Sequence, residues 1–397
     1  MNLLDKTLFA ALVLSAFTVQ AQDWKFSGES GVEGRFFPQK PRQIEQQKNL
    51  GVSIMMQPEF RYQASDRKTQ LGFVPFFRYD AEDRERTHFD LREAYWRQIG
   101  DEWEVTVGVD KVFWGVAESR HLVDVINQTD AVEDPDQEDK LGQPMMAATT
   151  QKEWGALSLY WLPYFRERTF PGEDGRFRTQ LPVNSRRAEY ESGAEQWHQD
   201  FAVRYSHYLG DWDIGGYYFY GTSREPRFIV DDNEHKLVSL YDVISQVGID
   251  LQYTNEAWLW KLEAISRKGQ GKTFFASVAG LEYTFYQIME SDSDLGLLVE
   301  YQYDGRDSNA PDTLADNDLF VGLRWSLNDI SDTAILAGVS VDRITGEQFY
   351  NIEAERRIDD HITAELRARF LTGSEVGEPS WFLERDDYIQ LSVLYHF

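Results

Sequence analysis

From Trp24 to Phe397, apolar side chains recur at every second position in stretches of roughly ten residues, and no other feature constrains the fold so tightly. Leu50, Val52, Ile54, Met56, Pro58, Phe60 and Tyr62 share one parity, while Ser53, Gln57, Glu59, Arg61 and Gln63 take the other. The same alternation runs through Leu71/Phe73/Pro75/Phe77/Tyr79, Trp103/Val105/Val107/Val109, Val243/Val247/Ile249/Leu251/Tyr253, Trp258/Trp260/Leu262/Ala264, Leu295/Leu297/Val299/Tyr301/Tyr303 and Leu319/Val321/Leu323/Trp325/Leu327. A period of two is the signature of a β-strand with unlike faces. The polar parity carries Lys, Arg, Asp and Glu, so it faces water or paired charge. After residue 21 no apolar run approaches the roughly 18 residues of a membrane helix. The mean hydropathy of −0.52 is what averaging over two unlike strand faces produces.

The connections fall into two kinds. Short ones lie at 66–68, 101–102, 211–212, 255–256, 291–294, 328–332 and 358–360. Long polar ones lie at 38–49, 82–87, 118–151, 171–198, 223–242, 268–272, 305–316 and 372–386. Alternation of the two predicts an all-β, transmembrane, antiparallel up-and-down barrel, with short periplasmic turns and long extracellular loops. Dividing 152–170 into two strands at a tight Leu162-Pro163 turn puts every short turn on one side and gives 18 strands. Without the split the count is odd, and 16 is the even alternative.

Both ends agree with export and assembly in an outer membrane. Residues 1–21 hold Lys6, an apolar run over 8–17 and a terminal Val19-Gln20-Ala21, which predicts a signal peptide cleaved before Gln22 and a barrel over 22–397. At the other end Ile389, Leu391, Val393, Tyr395 and Phe397 share one face, the pattern expected of a last strand read by the barrel-assembly machinery. The expected location is therefore the outer membrane of a Gram-negative bacterium, with its lipid and lipopolysaccharide as surroundings. Aromatic residues make up 14% of the chain, which suits two interfacial girdles.

A formal charge of −27 excludes nucleic-acid binding, which needs an excess of Lys and Arg to neutralise phosphates. No cysteine is present, so stability must come from closure of the sheet. The seven histidines show no metal-ligand spacing and no Gly-x-Ser-x-Gly elbow occurs, so neither a metal site, a cofactor nor an enzyme is expected. Inward-facing charged positions are the candidate pore lining: Arg61, Arg78, Asp80, Glu104, Arg204, Lys261, Glu263, Arg324, Glu365 and Arg367. The 118–151 connection is the candidate constriction, because its stretch from Ser119 to Asp130 is too apolar for a solvated loop. Within it Arg120, His121, Asp124, Asn127 and Asp130 are the candidate constriction residues. The acidic run that follows, with Asp130, Glu133, Asp134, Asp136, Glu138 and Asp139, reads as a solvated loop, since it lacks the spacing and glycine of an EF-hand. The basic cluster Arg166, Arg168, Arg176, Arg178, Arg186 and Arg187 reads as neutralising Glu167, Glu173, Asp174, Glu189 and Glu191, or alternatively as drawing an anionic solute or lipopolysaccharide phosphate.

Leu91-Arg92-Glu93-Ala94-Tyr95, then Val107-Gly108-Val109-Asp110-Lys111-Val112-Phe113-Trp114-Gly115, then Asp124-Val125-Ile126-Asn127 form a pattern that resembles a broad set of Gram-negative outer-membrane porin-like barrels. Those include poorly characterised porins and, more distantly, the alginate-export type. Where such families carry Gly-Arg-Gln, this chain has Gly108-Val109-Asp110. The resemblance implies a channel whose loop after Gly115 enters or covers the pore. Diffusion of small hydrophilic solutes is the first functional expectation. An export conduit for an anionic exopolysaccharide and a plugged structural or adhesion barrel are the alternatives.

Overall fold

The computed structural model describes residues 24–378 and 380–397. Segment 1–21, where a signal peptide is expected, lies outside them. Among the described residues twenty-one strands form in chain order. They are β1 (Trp24–Phe36), β2 (Leu50–Gln63), β3 (Thr69–Asp80), β4 (His88–Ile99), β5 (Trp103–Asp110), β6 (Gln143–Lys152), β7 (Gly155–Leu162), β8 (Val183–Tyr190), β9 (Asp200–Leu209), β10 (Trp212–Thr222) and β11 (Arg227–Asp231). The rest are β12 (Lys236–Tyr241), β13 (Val243–Asn255), β14 (Trp258–Lys268), β15 (Phe274–Phe285), β16 (Asp294–Asp304), β17 (Asn317–Ser326), β18 (Ala334–Asp342), β19 (Gln348–Arg357), β20 (Ile362–Thr372) and β21 (Tyr388–His396).

Eighteen of these make one sheet, each paired antiparallel with its neighbour in the chain. β1 closes it by pairing with β2 on one side and β21 on the other, from Glu29↔His396 to Phe36↔Ile389. Closure leaves no strand edge with unpaired N–H and C=O groups. The faces fall as the alternation requires: Ile54 is 54% exposed on the outside and its neighbour Ser53 is 1% exposed on the inside. The C-terminal face of Ile389, Leu391, Val393 and Tyr395 is likewise exposed outward.

The division into 18 strands holds, but its hinge is elsewhere. The tight turn is Glu153-Trp154, between β6 and β7, and not Leu162-Pro163. Gly155 ends that turn at φ 120°, where a Cβ would meet the Ser206 carbonyl at 2.6 Å. β6, Gln-Pro-Met-Met-Ala-Ala-Thr-Thr-Gln-Lys, alternates too weakly to be seen as a strand. The candidate constriction loop 118–151 therefore shifts to a connection over 111–142 between β5 and β6. The next long connection begins at residue 163, and it is not unstructured. Its β8 pairs in parallel with β12, which pairs antiparallel with β11, in a small sheet built from two loops.

Two irregularities interrupt the period. Pairing of β3 with β4 shifts between Val74↔Glu93 and Pro75↔Leu91, so Arg92 is an extra residue opposite Pro75. Across on β2, Pro58 stands beside this same gap, where the β2–β3 ladder skips from Met56↔Phe77 to Phe60↔Phe73. Proline cannot donate to a ladder, and a bulge is where sheets accommodate it. The Leu91-Arg92-Glu93-Ala94-Tyr95 motif is thus a bulge that turns two successive charged residues, Arg92 and Glu93, toward the interior.

Candidate functional site: the barrel interior

The connection 111–142 crosses the inside of the barrel and returns. Near its start is Gly115, whose φ of 142° puts it in backbone territory that side chains avoid, and where a Cβ would meet Glu263 Oε1 at 2.8 Å. The outgoing half is apolar. Trp114, Ala117, Leu122, Val123, Val125 and Ile126 pack on inward-facing Tyr217 and Phe219 of β10, Ile244 of β13, Ile265 of β14 and Phe274, Ala276 and Val278 of β15. This wall is apolar on both faces, which gives the loop a core to fold against. Burial of each such side chain contributes about 1.5–3 kcal/mol.

Carboxylates on the same side catch the loop backbone. Glu263, wholly buried, accepts Val116 N–H at 2.7 Å and Ala117 N–H at 2.9 Å on Oε1, and Val123 N–H at 3.2 Å on Oε2. Glu300 accepts Glu118 N–H at 2.9 Å, and Ser119 N–H at 2.8 Å and Oγ–H at 2.5 Å. Arg120 donates to Asp304 at 2.8 Å, and Arg324 donates to Glu118 at 2.6 Å.

The returning half is the acidic run, and it is not solvated: Asp130, Glu133 and Asp134 are buried. Inward-facing arginines receive it. Arg92 pairs with Asp130 at 2.6 Å, Arg78 with Glu133 at 2.6 Å, and Arg369 with Asp136 at 2.8 Å, while Tyr388 donates to Asp134 at 2.7 Å. Arg35 and Arg86 donate to backbone carbonyls of Glu133 and Val132. Leaving either set of charges buried without the other would cost several kcal/mol per ion. Burial pushes the Asp130 carboxyl up, but the hydrogen bond from His88 and the Arg92 charge outweigh it and hold the group below its ordinary range. Beyond that dense contact the balance reverses. Burial and the Asp134 charge raise Asp136 to about 7, burial and Asp136 raise Glu138 to about 7, and burial and Glu133 raise Asp139 to about 6.

His88, Asp130 and Glu133 bring three possible metal-ligand atoms within 4.8 Å of one another. Their charge is already matched by Arg92 and Arg78, so the group forms an ion-pair network. The basic cluster is also spent on structure, though on distant partners: Arg166 binds Asp90 at 2.5 Å, Arg176 binds Asp386 at 2.5 Å, and Arg187 binds Asp231 at 2.7 Å. Of the acids near it in sequence, Glu189 is an ion-pair partner, at 2.8 Å from Arg187.

A cavity of about 710 Å³ remains between the loop and the opposite wall, β16 to β20. Its lining runs from Ser326, Ala334 and Glu355 at the turn end of the strands to Asp318, Ser340 and Glu347 at the loop end. Of the candidate residues, Arg324, Glu365, Arg367, Arg120, His121, Asp124 and Asn127 line it. Glu263 does not, being buried under the outgoing half; Arg78 and Asp80 do not, being buried at the returning half. Asp130 is sealed under the same contact. Arg61 and Glu104 face inward on β2 and β5, where Arg61 pairs with Glu93 at 2.5 Å and Glu104 with Arg97 at 3.4 Å. Arg204 is held by Asp250 at 2.7 Å, and Lys261 lies 3.7 Å from Glu282. Asn127 bridges the ends of the loop, accepting from Val112 N–H at 2.8 Å and donating to Leu141 O at 2.9 Å. His121 packs edge-on to Phe113, and burial lowers its basicity. Asp124 pairs with Lys140 at 3.3 Å. Sequence reasoning missed Glu353 and Glu355 of β19, whose weak apolar alternation hid the strand's parity.

No protein-family model matches the chain, and no curated protein matches it. Among solved structures it is similar in backbone path to a double mutant of the Rh. blastica porin, with 13% identity and a TM-score of 0.47 over 94% of this chain and 100% of that one. A fivefold mutant of that porin gives 14% identity and a TM-score of 0.46 over the same shares. The architecture of this chain rests on its own strand pairing.

Proposed function

We propose that the barrel spans an outer membrane and is a water-filled channel for small hydrophilic solutes, narrowed by the 111–142 loop and selective for cations. The observation that carries this reading is the cavity whose lining extends from the turn end to the loop end of β17 to β19. A barrel of this strand number leaves an aqueous passage unless something fills it, and the loop occupies one side. Exposed aromatic and aliphatic residues over the whole outer face match a lipid environment.

The preference for cations follows from the free charges. Glu355 of β19 and Glu365 of β20 are directly opposite one another, face inward, and have no ion-pair partner among the described residues. Glu138 lies on the loop side of the same cavity. Most arginines of the lining are committed to carboxylates, as Arg369 is to Asp136 and Glu353. This acidic wall disfavours the export of an anionic polymer, and an open cavity disfavours a plugged barrel.

Planar-bilayer recordings in a KCl gradient test the proposal. A stable conductance with a reversal potential on the cation side is expected, reduced in Glu355→Gln/Glu365→Gln. A barrel that inserts without conducting, or one that prefers chloride, would overturn it.

A further inference from the structure

The register sets three oxygen-bearing side chains in one row across β16, β17 and β18. Gln302 is opposite Asp318, and Asp318 is opposite Asp342, all on the inner face near the loop end. Directly opposed residues of antiparallel strands hold their Cβ atoms about 4.5–5.5 Å apart, and like charges at that distance repel. Among the described residues neither carboxylate has an ion-pair partner. Of the nearby arginines, Arg120 and Arg306 both bind Asp304, and Arg343 turns to the Tyr301 ring instead of to either carboxylate. Asp316 and Glu347 add further negative charge around the row, and proximity to Asp342 raises the carboxyl of each beyond what burial does.

A second observation is independent of the charge. Gln302 is 2% exposed, and its side-chain oxygen has no hydrogen-bond partner. A buried amide oxygen left without a donor is unfavourable, so its position calls for a donor or a cation. The carboxylates also keep coordination capacity. Asp342 spends Oδ1 on the N–H groups of Ile344 and Thr345, leaving Oδ2 free, and Asp318 receives only Asn317 N–H at 3.2 Å and Ser340 Oγ at 3.4 Å. The contrast is the His88, Asp130 and Glu133 group, where arginines supply the neutralising charge.

We infer that Asp318, Asp342 and the side-chain oxygen of Gln302 bind a hard divalent cation, Ca²⁺ being the best fit to a flexible all-oxygen site completed by water. Gln302, Asp318 and Ser340 line the cavity, so the ion enters from the lumen. Bound there, it ties together the extracellular ends of three strands and offsets part of the acidic wall.

The test is calorimetric titration of Ca²⁺ into full-length barrel refolded from inclusion bodies, free of lipopolysaccharide and stripped with EDTA. One saturable ion per chain is expected, with affinity weakened about tenfold or more in Asp318→Asn, Asp342→Asn and Gln302→Leu, and unchanged in Asp312→Asn. In EDTA the Asp318→Asn barrel should unfold at a higher temperature than the parent, because the repulsion is gone, and Ca²⁺ should no longer raise it. No saturable binding by the parent, or parental affinity in Asp318→Asn, would overturn the inference. Should an Asn variant fail to fold, parental affinity in Gln302→Leu overturns it alone. Because binding is read in detergent, its failure is separate from any failure of conduction.

Discussion

Glu263 shows what a single inward residue does in this barrel. Its parity on β14 is legible from Trp258, Trp260 and Leu262, which point the other way. Its role is not, because the three backbone N–H groups it accepts belong to residues about 140 positions earlier. Glu263→Ala leaves those donors buried and unpaired, at about 1–3 kcal/mol each. Urea denaturation in detergent should show a loss of a few kcal/mol, with Glu263→Gln losing less because one acceptor oxygen remains. Arg176 is a comparable point on the outer side. Buried over the Phe37 ring, it donates to Asp386 and to carbonyls of Lys48 and Arg385, joining three long loops. Arg176→Ala should open 37–49 and 373–387 to limited proteolysis at concentrations that leave the parent intact.

At the scale of an element, the 111–142 loop is two pieces of unlike physics. The outgoing half was legible as non-solvated from its apolar content. The returning half reads as a solvated acidic run because its counter-charges, Arg78, Arg92 and Arg369, sit in strands on either side of it in sequence and face inward only after closure. The raised carboxyls give this half a pH response. Ionisation of Asp136 and Glu138 near 7 and of Asp139 near 6 adds negative charge beside the cavity. The reversal potential should shift toward stronger cation preference between about pH 5 and pH 8. The sign for stability is opposite. Carboxyls whose folded pKa is raised stabilise the docked loop fully at low pH, and that contribution is lost as pH rises through 6 to 7. Current noise from loop motion should therefore be higher at pH 8 than at pH 5. A noise level independent of pH would argue against this assignment.

For the whole molecule, the loop fills one side of the lumen and leaves the other, so removing it should enlarge the passage. Deleting 120–140 should raise single-channel conductance, and an unchanged value would mean that the loop does not set the narrowest point. The closed all-β barrel, the outward face and the sidedness of most connections followed from the sequence by itself, because a period of two acts locally and repeats along the whole chain, whereas the count of 18 came out right through a misplaced split. The weakly alternating β6, the two-proline bulge and the strands inside the long loops escaped it, since each departs from that period. Which inward charges meet water and which are sealed beneath the loop was decided only by tertiary structure. Alternation assigns a face to each residue, whereas Glu263, Arg78 and Arg324 share the inner face and differ in what a distant segment lays over them.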